Sequence, residues 1–171
     1  MTLFHVSEEA AVEIFHPRPD PNRKLDPVVW AIDEEHLDNY LLPRDCPRVT
    51  FAAGPSTSDE DRLRFLACAT APRVVAIESS WLERAARQAL WIYRFPSGAF
   101  EKIDACAGYW VSRMPVSPES RERIPSALVA LLSRDVELRV VRNLCPLRDA
   151  VVESTLAFSI IRMRNALPGN A

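Results

Sequence analysis

The sequence predicts an α+β fold, a single domain built on a twisted, mainly antiparallel sheet with flanking helices. Three observations lead there. First, short apolar runs rich in β-branched and aromatic residues recur between prolines and polar residues: VVWAI (28–32), RVTFAA (48–53), RVVAIE (73–78), ALWIYRFP (89–96) and VELRVV (136–141). Runs of this kind are strand signals. Second, helix-start signals stand between them, with Asp33 ahead of EEH and Ser58 ahead of DED. Third, strands and helices alternate in the first half, whereas strands follow one another in the second, which a regular βαβ array would not do. A chain of 171 residues, 48% hydrophobic and 26% charged, can bury its own core. The domain is expected over residues 1–166, with 167–171 as a frayed tail.

Taken in order, residues 2–6 read as a short strand. SEEAAVEIF (7–15) reads as one or two turns of helix, with Ser7 as N-cap, two glutamates in the first turn and Ala11, Ile14 and Phe15 on one side. HPRPDPNRKLDP (16–27) is a loop, because its prolines suit neither a helix interior nor a central strand. After the strand 28–32, Asp33 caps a helix whose apolar side is Leu37, Tyr40 and Leu41, and Pro43 and Pro47 end it. Strand 48–53, a Ser58-capped helix, strand 73–78, a helix over 79–88 and strand 89–96 follow. Gly98 turns the chain into AFEKID, and GYWVSR (108–113) is the next strand. Residues 117–134 are expected to be helical, with Pro125 kinking the helix or starting a second segment. After strand 136–141, the longest helical pattern runs over 147–166.

Several chemistries fall away. The four glycines (Gly54, Gly98, Gly108, Gly169) form neither GxGxxG nor a P-loop, so the usual backbone cradles for phosphate are missing. There is no GxSxG and no HExxH. A net charge of −2 leaves no electrostatic footprint for nucleic acid or anionic lipid, which disfavours both as partners. The amino terminus has no basic flank with a long apolar run behind it, and no apolar stretch approaches about eighteen residues. A cytoplasmic protein with no membrane partner is therefore expected. Cys46, Cys68, Cys106 and Cys145 contain no CxxC pair, so reduced, mostly buried thiols are expected.

The polar constellations are few. His5, His16 and His36 are the only histidines, and Asp33 lies three residues before His36. A divalent metal held by His5, Asp33 and His36 is one reading; satisfied or exposed histidines are the bland one, and the spacing is not diagnostic. In PRDCPR (43–48) two arginines flank Cys46 and would lower its pKa if the thiol were accessible. The segment could bind an anion, but a rigid turn shaped by its own charges is the simpler reading. Arg162 and Arg164 are expected near a helix C-terminus, where the dipole favours them.

Two resemblances follow from these segments. LFHVSEE, WAIDEEHLDNYLLPRDCP and FSIIRMRNA resemble a small bacterial family of unassigned function over most of the chain. The layout is also similar, distantly, to ADP-ribosyltransferase folds of the His–Tyr–Glu type. His5-Val6-Ser7 matches the histidine strand, Trp30 and Tyr40 the two aromatics, and Tyr109 with Val111, Val116 and Pro118 the late strand. The resemblance implies a cleft near His5, lined by His5, Ser7, Trp30, Tyr40 and Tyr109, for NAD, ADP-ribose or a related small-molecule nucleotide. Aromatic rings would stack on nicotinamide there. Val6 replaces the family glycine, Trp30 replaces a tyrosine, and Gly108 stands where the catalytic glutamate would precede Tyr109. The resemblance thus implies binding more directly than transfer. A non-catalytic interaction domain is the alternative, and the metal site a third.

Overall fold

The computed structural model describes residues 1–19 and 26–169. Its elements are ten strands and four short α-helices: β1 (Thr2–Ser7), β2 (Val29–Ile32), β3 (Arg48–Ala52), α1 (Asp59–Leu66), β4 (Arg73–Glu78), α2 (Leu82–Arg87), β5 (Leu90–Pro96), β6 (Glu101–Asp104), β7 (Tyr109–Ser112), β8 (Ser120–Ile124), α3 (Ala127–Leu132), β9 (Val136–Val141), α4 (Cys145–Val152) and β10 (Ala157–Ile161). A 3-10 helix, Glu34–Tyr40, follows β2. The class is α+β, and the strands form two sheets.

The chain falls into two compact units, each built from two stretches of sequence. The first comprises Met1–Leu41 and Ala89–Pro125. Its sheet is wholly antiparallel, in the order β6-β7-β2-β1-β5-β8. On one face Leu3, Val29, Ala31, Tyr93, Phe95, Phe100 and Val116 form a buried cluster, and Val12, Phe15, Trp91 and Trp110 pack against it. The second unit comprises Leu42–Gln88 and Ser126–Ala171. Its sheet runs β10-β3-β4-β9 and is antiparallel except for the β4/β9 pair. Val49, Phe51, Val74 and Ala76 meet Phe65 of α1 and Leu144, Val151 and Leu156 in its core.

Three expected helices give way to other structure. Residues 7–15 contain no helix. Ser7 Oγ does accept the Glu9 N–H at 3.0 Å, as a cap would, but Ala11 stands at φ 59° and the chain goes no further helically. Its polar groups go to the sheet instead: Tyr93 Oη donates to Glu9 O (2.8 Å) and accepts from Val12 N (3.1 Å), and Phe15 pairs with Val116. So short a helix lacks the length to offset its own nucleation, and burying Val12 and Phe15 against the sheet wins.

The expected helix 117–134 holds a strand, β8, before Pro125 and a helix, α3, after it. Proline disfavours helical backbone in the residue before it, which suits Ile124 to a strand end. Ser126 then caps α3, accepting the Val129 N–H at 3.3 Å. Likewise the pattern 147–166 breaks after α4, and AFSII pairs antiparallel with β3. The β-branched residues there favour a pleated strand. Arg162 consequently sits at φ 58°, opening a 3-10 turn rather than closing a helix. Of the expected loop 16–27, residues 20–25 lie outside the described residues, as do 170 and 171 of the expected tail. Leu167 and Pro168 of that tail are held, by Glu78 and Asn143 respectively.

Candidate functional site

In an antiparallel pair, residues directly opposite share a face, and neighbours along a strand alternate. His5 lies opposite Tyr93 and Ser7 opposite Trp91, so both share the face of Leu3 and Phe95. Phe4 lies opposite Ile32, which puts Trp30 on the other face. Ile32 is opposite Tyr109 and Trp30 opposite Val111, so Tyr109 joins Trp30 there. The five residues expected to line one cleft are therefore divided by the sheet.

His5 and Ser7 both serve the packing of their face. The His5 ring tilts against Phe15 at 4.9 Å between centroids, and Nδ1 is 2.9 Å from the Trp30 carbonyl. Phe15 in turn meets Tyr93 and Phe95 edge-on. Ser7 holds Glu9. The segment after β1 thus lies over the histidine, which sits among aromatic rings.

Trp30, Tyr40 and Tyr109 do assemble. Trp30 and Tyr109 meet edge to face, 5.5 Å apart at 81°. The Tyr40 hydroxyl donates to the Tyr109 hydroxyl at 2.9 Å. All three are half-buried. Aromatic rings and hydroxyls are the groups that stack on and orient flat ligands in protein sites. Glu101 lies opposite Val111, which lies opposite Trp30. An exposed carboxylate therefore stands in the Trp30 row, with its backbone two strand spacings, about 10 Å, away.

A second polar group adjoins this one along the chain. Asp33 caps the 3-10 helix, accepting the His36 N–H at 3.3 Å, and the same Oδ1 lies 2.6 Å from His36 Nδ1. The Lys102 ammonium is 3.7 Å from the other carboxylate oxygen and 5.6 Å from the centre of the Trp110 ring. Gly108 makes the arrangement sterically feasible. It has φ +67°, and a Cβ there would stand 2.2 Å from His36 Nδ1 and 2.6 Å from Asp33 Oδ1. Its carbonyl accepts the Asp33 N–H at 3.2 Å. No carboxylate side chain can replace this glycine without displacing the histidine. The sequence signal for the pair was the Asp-x-x-His spacing at a helix start; nothing in the sequence pointed to Lys102 or to the close approach at Gly108.

The three-ligand metal reading is not assembled. His5 is engaged on the core face, and among the described residues no group of three or more His, Cys, Asp or Glu side chains could hold a metal ion. PRDCPR is a turn held by Arg48, whose guanidinium donates to Pro43 O (3.2 Å) and Cys46 O (2.8 Å). Cys46 has no accessible thiolate: burial pushes its pKa up to about 12, outweighing the opposing pull of Arg48 and Arg84. Of the four free thiols it alone is buried; Cys68 and Cys106 are exposed and Cys145 is half-buried, contrary to the expectation of mostly buried cysteines. Among the described residues no helix is long and apolar enough to cross a membrane.

Comparison with curated proteins and with solved structures finds no match. A family model does match, over residues 4–166, and so takes in both units and every candidate residue above. The chain belongs to a family of unknown function, DUF6886.

Proposed function

We propose that the protein binds a flat, hydroxyl-bearing small molecule of the nucleotide class, with NAD and ADP-ribose as the leading candidates, at the aromatic group Trp30, Tyr40 and Tyr109. The observation that carries this reading is the edge-to-face contact of two half-buried rings with a hydroxyl pair at their margin. Base–aromatic stacking contributes roughly 1–3 kcal/mol in other proteins, and with two hydrogen bonds of about 1 kcal/mol each the sum is about 5 kcal/mol at most, close to millimolar binding.

The reading is one of binding rather than ADP-ribosyl transfer. Gly108 occupies the place of the resemblance's glutamate, and its neighbours leave no room for a side chain. Glu101 is the carboxylate sharing a row with Trp30, and it would face a bound ligand rather than occupy the transferase position. Calorimetric titration with NAD, ADP-ribose and AMP tests the proposal. Saturable binding to the folded protein is expected, accompanied by a change in tryptophan fluorescence. Absence of heat and of fluorescence change at millimolar ligand would overturn it and leave the non-catalytic interaction domain as the better account.

A further inference from the structure

We propose that Asp33 and His36 form a proton-transfer dyad, in which His36 Nε2 accepts a proton from a water or an alcohol and Asp33 fixes the ring that does so. The inference goes beyond ligand binding at Trp30 and does not depend on it.

The simpler role for Asp33 is to cap the helix, and it does that. A cap, however, needs only the bond from the His36 N–H. In this pair the ring bond is the shorter of the two, 2.6 Å against 3.3 Å. An ionised carboxylate at this position can only accept, so in the neutral ring the hydrogen sits on Nδ1 and the lone pair on Nε2. The Lys102 ammonium stands 3.7 Å from the second carboxylate oxygen, which restrains the rotation of Asp33. Gly108 adds the third element: its left-handed backbone and bare Cα open the space in which the ring and carboxylate meet. Both side chains are withdrawn from water yet retain 14% and 15% exposure, so the imidazole is shielded without being sealed. A fixed tautomer, a partner for the ring and partial access are the elements of general base catalysis.

The chemical step is a hydrolysis. Nε2 takes a proton from water as the water oxygen forms a bond to an electrophilic carbonyl carbon. The bond to the leaving alkoxide or phenoxide breaks with its electron pair, and the imidazolium returns its proton to that oxygen or to solvent. Asp33 takes no proton in this step and is a positioning residue. An activated acyl ester, whose leaving group needs no acid, is the probe for this step.

Two measurements on the full chain test this. The first is the nitrogen-15 spectrum of the wild-type imidazoles, in which His36 should be protonated at Nδ1 and unprotonated at Nε2 when neutral. Asp33→Asn, which keeps the cap, should relax that preference; the opposite tautomer in the wild type overturns the proposal. The second is steady-state hydrolysis of p-nitrophenyl acetate. His36→Gln should lose at least tenfold, Asp33→Asn should lose severalfold, and His16→Ala should not change. A His36→Gln protein that folds and retains the wild-type rate contradicts the proposal and leaves Asp33 and His36 as a helix cap. If His36→Gln does not fold, the wild-type spectrum and the Asp33→Asn rate decide by the same criteria.

Discussion

The two units use their withdrawn polar side chains differently. In the second unit three of them, Glu78, Arg48 and Thr57, bond to main chain. Glu78, 1% exposed, accepts from Leu144 N (3.1 Å) and from Leu167 N (3.0 and 3.1 Å). Arg48 donates to two carbonyls, and Thr57 donates to Thr155 O while accepting from Gly54 N. In the first unit, at the end of β2, they bond to one another: Asp33 to His36, Tyr40 to Tyr109, Lys102 to Asp33. A side chain bonded to main chain fixes the path of the chain and has little capacity to spare. Side chains bonded to each other fix an orientation, which is what a ligand or a reacting group requires. On the reading proposed above, function belongs to the first unit, and the second unit's side chains named here serve its architecture.

The largest expected effect comes from the architectural side. Glu78→Ala leaves the buried Leu144 N–H and the Leu167 N–H without their acceptor and should cost about 3 kcal/mol, read by urea unfolding, with no change in the Trp30 signal on ligand titration. A loss of ligand response at full folding would break the division between units. Next, Gly108→Ala imposes a side chain on a left-handed backbone and on the His36 ring, and should cost about 2–3 kcal/mol. Unlike Glu78→Ala, it should also alter the His36 resonances in folded protein.

The pattern of what could be read beforehand follows from these same contacts. Strands 48–52 and 73–78 were legible because their apolar runs are buried, strand 136–141 because apolar and polar residues alternate along a half-exposed strand, and the Ser58 cap is made as expected, to Asp61 N at 3.2 Å. SRERI was not legible as a strand because β8 is a sheet edge whose side chains are almost all exposed, so no alternation marks it. Trp30, Tyr40 and Tyr109 were singled out only through the resemblance, since no local pattern joins residues so far apart in the chain. The separation of His5 and Ser7 from it was not, because a period of two makes the face depend on pairing register, and only the tertiary pairing of Phe4 with Ile32 sets that register. Gly108 carried no local signal at all: its φ and its closeness to His36 arise from how the turn before β7 meets the helix after β2.

Smaller effects sharpen the comparison. Tyr93→Phe removes two bonds to the segment after β1 and should cost about 1–2 kcal/mol, again by unfolding, without touching ligand response. It is a main-chain clamp inside the first unit, so it should behave like the second unit's residues. Cys46 should show the smallest effect below pH 9. Its folded pKa is raised from 9.0 to about 12, so the folded state holds the proton more tightly than the unfolded chain does. Its contribution is intact below pH 9 and is lost as pH rises towards 12. At pH 8 an alkylating reagent should label Cys68 and Cys106 in the native protein and leave Cys46 unmodified until denaturant is added.

The measurement that bears most directly on the central claim compares His5→Ala with Trp30→Ala in calorimetric titrations with NAD and ADP-ribose, each variant first checked to be folded. The account predicts that Trp30→Ala weakens binding at least tenfold while His5→Ala, although less stable, binds as the wild type does. Loss of binding in His5→Ala with Trp30→Ala unaffected would contradict it and return the ligand to the face where His5 lies beneath Phe15.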